Sequence, residues 1–192
     1  MVSAMLDRRE AVKLLLAERG DLLVVCGLGS PTYDVAAAGD DARNFYLWGA
    51  MGGAAMIGLG LALAQPQRQV LVLTGDGEML MGMGALATIA VQKPANLVVA
   101  VLDNGAFGET GMQPSHTAAG ADLAAIARGC GFAAAEIVED EAGVRRLAAR
   151  LRAIGGPLFA RIRIAAIEHP RVLPEQDGVA IKRRFRTAVG VG

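Results

Sequence analysis

Three short apolar runs constrain this chain more than any other feature: DLLVVCG (Asp21–Gly27), QVLVLTG (Gln69–Gly75) and NLVVAVLDN (Asn96–Asn104). A strand with one wet face alternates apolar and polar residues. These runs do not alternate, so both of their faces must be covered. Helical patterns fill the intervals. Leu6–Arg19 reads as an amphipathic helix, and GAMGGAAMIGLGLALA (Gly49–Ala64) and MLMGMGALATIAVQ (Met79–Gln92) read as apolar helices. Downstream, DLAAIARGCG is a helix closed by glycine, AAAEIVED a short strand, EAGVRRLAARLRAIG (Glu141–Gly155) an amphipathic helix and PLFARIRIA (Pro157–Ala165) a last strand. Strands alternating with helices predict an α/β fold: a three-layer, doubly wound, mostly parallel sheet with helices on both faces.

The length of 192 residues suits one domain over 1–192, with 168–192 as a C-terminal extension. KRRFR (Lys182–Arg186) in that extension reads as a solvated helix face or a subunit contact. The 19 Lys and Arg balance 19 Asp and Glu, which gives no indication of nucleic acid or an anionic membrane as partner. Cys26 and Cys130 form no CxxC pair and read as small buried hydrophobes in a reduced, cytoplasmic setting. The mixed charge of MVSAMLDRREAVKLLLAERG does not fit a signal peptide. Gly49–Ala64 is too short to span a bilayer, and a helix apolar all round is expected to be buried on several sides.

In open parallel sheets, ligands gather beyond the carboxyl ends of the strands. Those ends carry GLGSPT, TGDGE and LDNGAFG. If the second and third runs are neighbours, their tips lie about 5 Å apart, and Asp76 and Asn104 reach one object. A carboxylate, an amide oxygen and nearby carbonyls form an all-oxygen set suited to magnesium held partly by phosphate oxygens. Gly75 and Gly77 permit a sharp turn with phosphate close to the backbone. A helix opening at Glu78 or Met79 would aim free N–H groups at that phosphate. Spacing alone leaves two unrelated turns as the alternative.

GDGEMLMGMGALATIAVQKPANLVVAVLDN (Gly75–Asn104) resembles the signature of thiamine diphosphate-dependent enzymes, with Asp103 where many relatives carry a first asparagine. The resemblance implies that Asp76, Asn104 and the Ala106 carbonyl hold Mg2+, with Gly75, Gly77, Glu78, Phe107 and Gly108 against the cofactor. Upstream, WGAMGGAAMIGLGLAL resembles the segment in which a bulky apolar residue wedges beneath the cofactor. Met51 takes that place, or is core filler, and the Gly49 carbonyl would accept from the pyrimidine amino group. Ser30 either touches diphosphate or simply caps a helix. Glu109 lies in the loop over the reacting carbon, where close relatives often read serine-threonine-glycine. It would repel a second anion on a substrate unless it points away or carries a proton. His116 is a proton shuttle, an anion contact or an idle surface histidine.

The likeness covers about Asp21 to Ile164, which is the diphosphate-binding half of such an enzyme. It implies a separate pyrimidine-binding, alpha-type subunit that carries the activating glutamate, in a hetero-oligomer or alongside a dimer of this chain. Within the family, NFYLWGAMGGAAMIGLGLAL and PANLVVAVLDNGAFGETGMQPSHT look most like the sulfopyruvate decarboxylase beta subunits and the equivalent domain of phosphonopyruvate decarboxylases. The implied activity is decarboxylation of a small 2-oxo acid. The alternatives are the thiamine subunit of a 2-oxo acid oxidoreductase or dehydrogenase, and a non-catalytic cofactor-binding module.

Overall fold

The computed structural model describes residues 5–153 and 155–191. Helix α1 (Arg8–Leu16) leads into β1 (Leu23–Cys26), α2 (Ser30–Ala38), β2 (Asn44–Tyr46), α3 (Ala54–Ala64) and β3 (Val70–Gly75). The middle of the chain forms α4 (Asp76–Met81), α5 (Ala85–Gln92), β4 (Leu97–Asp103) and a two-residue hairpin, β5 (Ala106–Phe107) with β6 (Gln113–Pro114). Then come α6 (Leu123–Cys130), β7 (Ala134–Val138), α7 (Glu141–Arg150), β8 (Leu158–Arg163) and α8 (Gly178–Ala188). Ile154, within the span expected for α7, and Gly192, the last residue of the extension, lie outside the described residues.

Six strands pair in the order β2-β1-β3-β4-β8-β7, every pair parallel. Every residue of β1 and β4 is buried, as the non-alternating runs require. Alternate strand residues feed two separate cores. Val24, Leu71 and Ala100 pack with α1, α2 and α7 on one face; Val25, Val72 and Val99 pack with α3, α5 and α6 on the other. The chain reverses its winding direction between β1 and β3, which places a topological switch at their carboxyl ends.

Two of the expected helices differ from the expectation, while the tail forms the helix face that KRRFR suggested. Met79–Gln92 is two helices, because Gly82 and Gly84 interrupt it. Helix α3 starts only at Ala54, and its outer face is bare in the single chain: Met56, Ile57 and Leu63 are exposed while Ala55, Leu59 and Ala62 face the sheet. A helix on one side of a sheet has only one side to bury, so uniform apolarity here does not mean enclosure. The polar tail carries α8, anchored by Ile181 and Phe185 with its basic residues outward. Among the described residues no helix is long and apolar enough to cross a membrane.

Candidate active site

The β3–β4 register sets Gly75 opposite Leu102, so Asp76 and Asn104 emerge from adjacent strand tips. Both line one cavity of about 200 Å³. Ser30, Met51, Gly75, Gly77 and Glu78 line it as well, and so do Ala106, Phe107, Gly108 and Glu109 from the loop after β4. The turn Asn104–Ala106 is tightened by Asn104 Oδ1, which accepts from the Ala106 N–H at 3.0 Å. Helices α1, α6, α7 and α8 are each capped by an aspartate, but α2 and α4, which begin at the cavity, follow Gly29 and Gly75 and carry no side-chain cap. The first amides of α4 therefore remain available, and in α2 the Ser30 amide alone, because Pro31 has no N–H and the Thr32 and Tyr33 amides donate to the Gly29 carbonyl.

Asp76 is 2% exposed, and among the described residues no cation lies within ion-pair distance of it. Ser115 Oγ donates to Asp76 Oδ2 in a short hydrogen bond, and Thr117 Oγ1 lies 3.1 Å from the same oxygen. Burial pushes the Asp76 carboxyl above its ordinary range; the Ser115 hydroxyl opposes this, and the Asp103 charge adds to it. Asp103 is itself neutralised by Arg161 Nε. A buried carboxylate that lacks a counter-charge, beside an amide oxygen and a free carbonyl, is the donor set a hard divalent cation requires. No cluster of three or more His, Cys, Asp or Glu occurs among the described residues. Magnesium here would therefore depend on amide and backbone oxygens to complete its protein ligands.

Glu78 is buried and fully engaged. Its Oε2 accepts from Leu28 N at 2.9 Å and Thr74 Oγ1 at 2.7 Å; its Oε1 accepts from Gly52 N at 3.3 Å and Ala54 N at 3.4 Å. The carboxylate thus ties the tip of β1 and the Met51 turn to α4. The Gly27 backbone approaches so closely that a Cβ there would sit 1.9 Å from Glu78 Oε2. At Gly77 a Cβ would fall 2.8 Å from the Phe107 ring, so glycine lets that ring close over α4. Met51, 40% exposed, brings its Cε close to the same spot.

Glu109 runs against Gly29, and its Oε2 lies 3.1 Å from Arg171 Nη2, so its charge is partnered by the C-terminal segment. His116 is exposed and touches the site only through its edge-on contact with Phe107, ring centroids 6.2 Å apart. Gly49 is exposed in the turn before Met51, with φ +72°. Ser115, Thr117, Arg161 and Arg171 escaped the sequence reading. Nothing local in PSHTA marks the first two, since Ser115, His116 and Thr117 are all polar; it is the structure that buries Ser115 and Thr117 and exposes His116 between them.

The model of the thiamine pyrophosphate enzyme C-terminal TPP binding domain matches residues 30–162. The chain belongs to that family. It is 41% identical to the sulfopyruvate decarboxylase subunit beta of Methanothermobacter thermautotrophicus over 181 residues, 94% of each chain. It is 37% identical to the phosphonopyruvate decarboxylase of Streptomyces viridochromogenes over 95% of this chain and 46% of that one. Among solved structures, the 4-hydroxybenzoylformate decarboxylase of Rhodococcus jostii RHA1 superposes with a TM-score of 0.69 at 24% identity, and the benzoylformate decarboxylase of Polynucleobacter necessarius with 0.67 at 18%. Each match covers 86% of this chain and 34% of the enzyme, and at these identities the likeness is one of fold.

Proposed function

We propose that this chain is the cofactor-binding subunit of a thiamine diphosphate-dependent 2-oxo acid decarboxylase, of the kind that acts on sulfopyruvate or phosphonopyruvate. The reading rests above all on Asp76: a buried carboxylate without a counter-cation among the described residues, set beside Asn104 and Ala106 in the cavity of a TPP binding domain. Asp76, Asn104 and the Ala106 carbonyl would hold Mg2+, and the Ser30 amide and the open amides of α4 would face the diphosphate. Bound there, thiamine diphosphate supplies the electron sink for loss of carbon dioxide. Met51 would fix the cofactor's bend, and the Phe107 ring, which closes over α4 beside Met51, would shield the reacting end from water. The Arg171 pairing of Glu109 supports a substrate with a second anion, because the carboxylate is already neutralised.

The relatives named subunit beta support a separate partner. So do the exposed apolar side chains Met51, Met56, Ile57, Leu63, Met81 and Val91, a distribution typical of a surface that another chain covers. That partner would be the pyrimidine-binding subunit contributing the activating glutamate, in a cytoplasmic assembly. Reconstitution of the two chains with thiamine diphosphate and magnesium tests the whole. Aldehyde and carbon dioxide should appear from the 2-oxo acid without an electron acceptor. Turnover only with an acceptor would make the pair an oxidoreductase; cofactor binding without any turnover would leave a non-catalytic module.

A further inference from the structure

One cation in the cavity wall has no part in the site described so far. Arg8, at the start of α1, is 6% exposed and borders two adjoining cavities. The first is that of Asp76 and Asn104; the second, about 110 Å³, is lined by Ser30, Tyr33, Asn104, His169 and Arg171, and by two carboxylates, Glu109, which Arg171 pairs, and Glu168. Behind Arg8 lies the fully buried Asp34, with Arg8 Nε at 3.1 Å and Arg9 Nε at 3.2 Å. Two guanidinium groups on one carboxylate leave a positive charge in excess. Arg9 turns to the tail and donates to the Pro170 carbonyl at 2.8 Å. Arg8 Nε is within ion-pair range of Asp34 yet not aligned as a hydrogen bond, and among the described residues no hydrogen bond uses the other guanidinium nitrogens of Arg8. A buried guanidinium so poorly partnered is costly unless an anion completes it.

Arg171 approaches the second cavity from the C-terminal segment, where it stacks over the Tyr33 ring at 5.5 Å and reaches Glu109. The two arginines come from opposite ends of the sequence. Ser30 stands in the same wall, at the uncapped start of α2.

We infer that Arg8, with Ser30 and Arg171, seats the terminal phosphoryl group of the cofactor, an assignment that rests on the thiamine diphosphate reading above. The second cavity shares Arg8, Ser30, Asn104, Gly108 and Glu109 with the first but lacks Met51 and residues 75–78, so it lies on the side away from the wedge. An anion entering it next to the Asn104 oxygen is the far end of the diphosphate. Guanidinium groups suit that task because their fork matches two phosphoryl oxygens. Arg8 and Arg171 both fall outside residues 30–162, so the family pattern does not indicate them.

The test titrates the full chain, with magnesium, with thiamine diphosphate and with thiamine monophosphate, following 31P resonances so that weak binding is still measured. The wild type should prefer the diphosphate. Arg8→Met should weaken diphosphate binding by about tenfold to a hundredfold while monophosphate affinity changes by less than about twofold. Arg8→Lys should fall between, since charge survives and the fork does not. Arg171→Gln, at an exposed position that tolerates change, should also reduce the preference, and with Arg8→Lys it carries the test if Arg8→Met does not fold. A parallel loss for both ligands would mark Arg8 as merely structural and overturn the assignment, as would an undiminished preference in all three variants. A wild-type chain that binds neither ligand, alone or reconstituted with the pyrimidine-binding subunit, would overturn the cofactor reading itself.

Discussion

Asp76 and Asp103, at the tips of neighbouring parallel strands, share one hydroxyl: Thr117 Oγ1 lies 3.1 Å from Asp76 Oδ2 and 2.7 Å from Asp103 Oδ1. That hydroxyl has a single proton, so it serves one carboxylate at a time, and Ser115 supplies the other donor to Asp76. The charges are balanced unequally. Among the described residues, Asp103 has Arg161, whereas the side-chain partners of Asp76 are hydroxyls.

The Asp103–Arg161 pair should therefore be necessary as a pair and dispensable as a pair. Arg161→Met leaves a buried carboxylate uncompensated beside a second one and should cost about 3–5 kcal/mol in urea unfolding. Adding Asp103→Asn removes the stranded charge and should restore most of that loss, as a double-mutant cycle would show. Additive losses from the two substitutions would mean that they do not interact.

Asp76 makes metal-free stability depend on acidity. Burial raises its folded-state pKa above the unfolded value, so the native chain binds the proton more tightly. Stability from this group is then greatest below the unfolded value, and declines as pH rises from there through the raised folded value. Asp76→Asn should accordingly be more stable than the wild type at neutral pH without magnesium. The gap should shrink as pH falls through the raised value and close below the ordinary carboxylate range. The same substitution should abolish the magnesium-dependent part of cofactor binding. Thermal unfolding from pH 3 to pH 8, with and without magnesium, checks both halves; a gap that does not vary with pH would contradict the account.

The central strands were legible because their pattern has one cause: residues covered on both faces are apolar at every position. Asp76 and Asn104 were legible because adjacent parallel strands put their tips side by side. Strand β2 was not, since Asn44–Tyr46 is three residues long and Asn44 is a polar residue buried inside the sheet, where it accepts from Arg19 at 2.7 Å. Nor were the partners of Asp76, because Ser115 and Thr117 reach it only through the path of the loop after β4. Arg8 and Arg171 meet across most of the sequence, and no local pattern encodes that meeting. Glu78 was read as a cofactor contact from its place in GDGE; it lines the cavity, but its oxygens bind the framework.

Two glycines of similar appearance should behave oppositely. A Cβ on Gly82 would sit 2.2 Å from the Gly52 carbonyl oxygen, a backbone atom with no room to retreat. Gly82→Ala should destabilise by about 1–3 kcal/mol and shift the turn that presents Met51. At Gly60, in α3, nothing lies within 4 Å of such an atom. Gly60→Ala should stabilise by about 0.5–1 kcal/mol through helix propensity alone. Denaturant midpoints decide the pair, and equal effects at both sites would refute the close approach of Gly52 and Gly82.

Glu78 gives the sharpest test of how the site is held. Each of its oxygens faces two donors, Leu28 N and Thr74 Oγ1 on one side, Gly52 N and Ala54 N on the other. Glu78→Gln keeps the shape but turns an NH2 toward one of those donor pairs, whichever way the amide is flipped. Two backbone N–H groups, or one with the Thr74 hydroxyl, then lose their acceptor in a buried place, at a cost of roughly 3 kcal/mol. The loss should be local as well as global. The amides of Leu28, Gly52 and Ala54 should exchange with deuterium faster than those of β4, because the β1 tip and the Met51 turn are released together while the sheet stays paired. Cofactor affinity should fall with them even though Asp76 and Asn104 are untouched. If Glu78→Gln left both the unfolding midpoint and those amide rates unchanged, the carboxylate would not be what positions Met51.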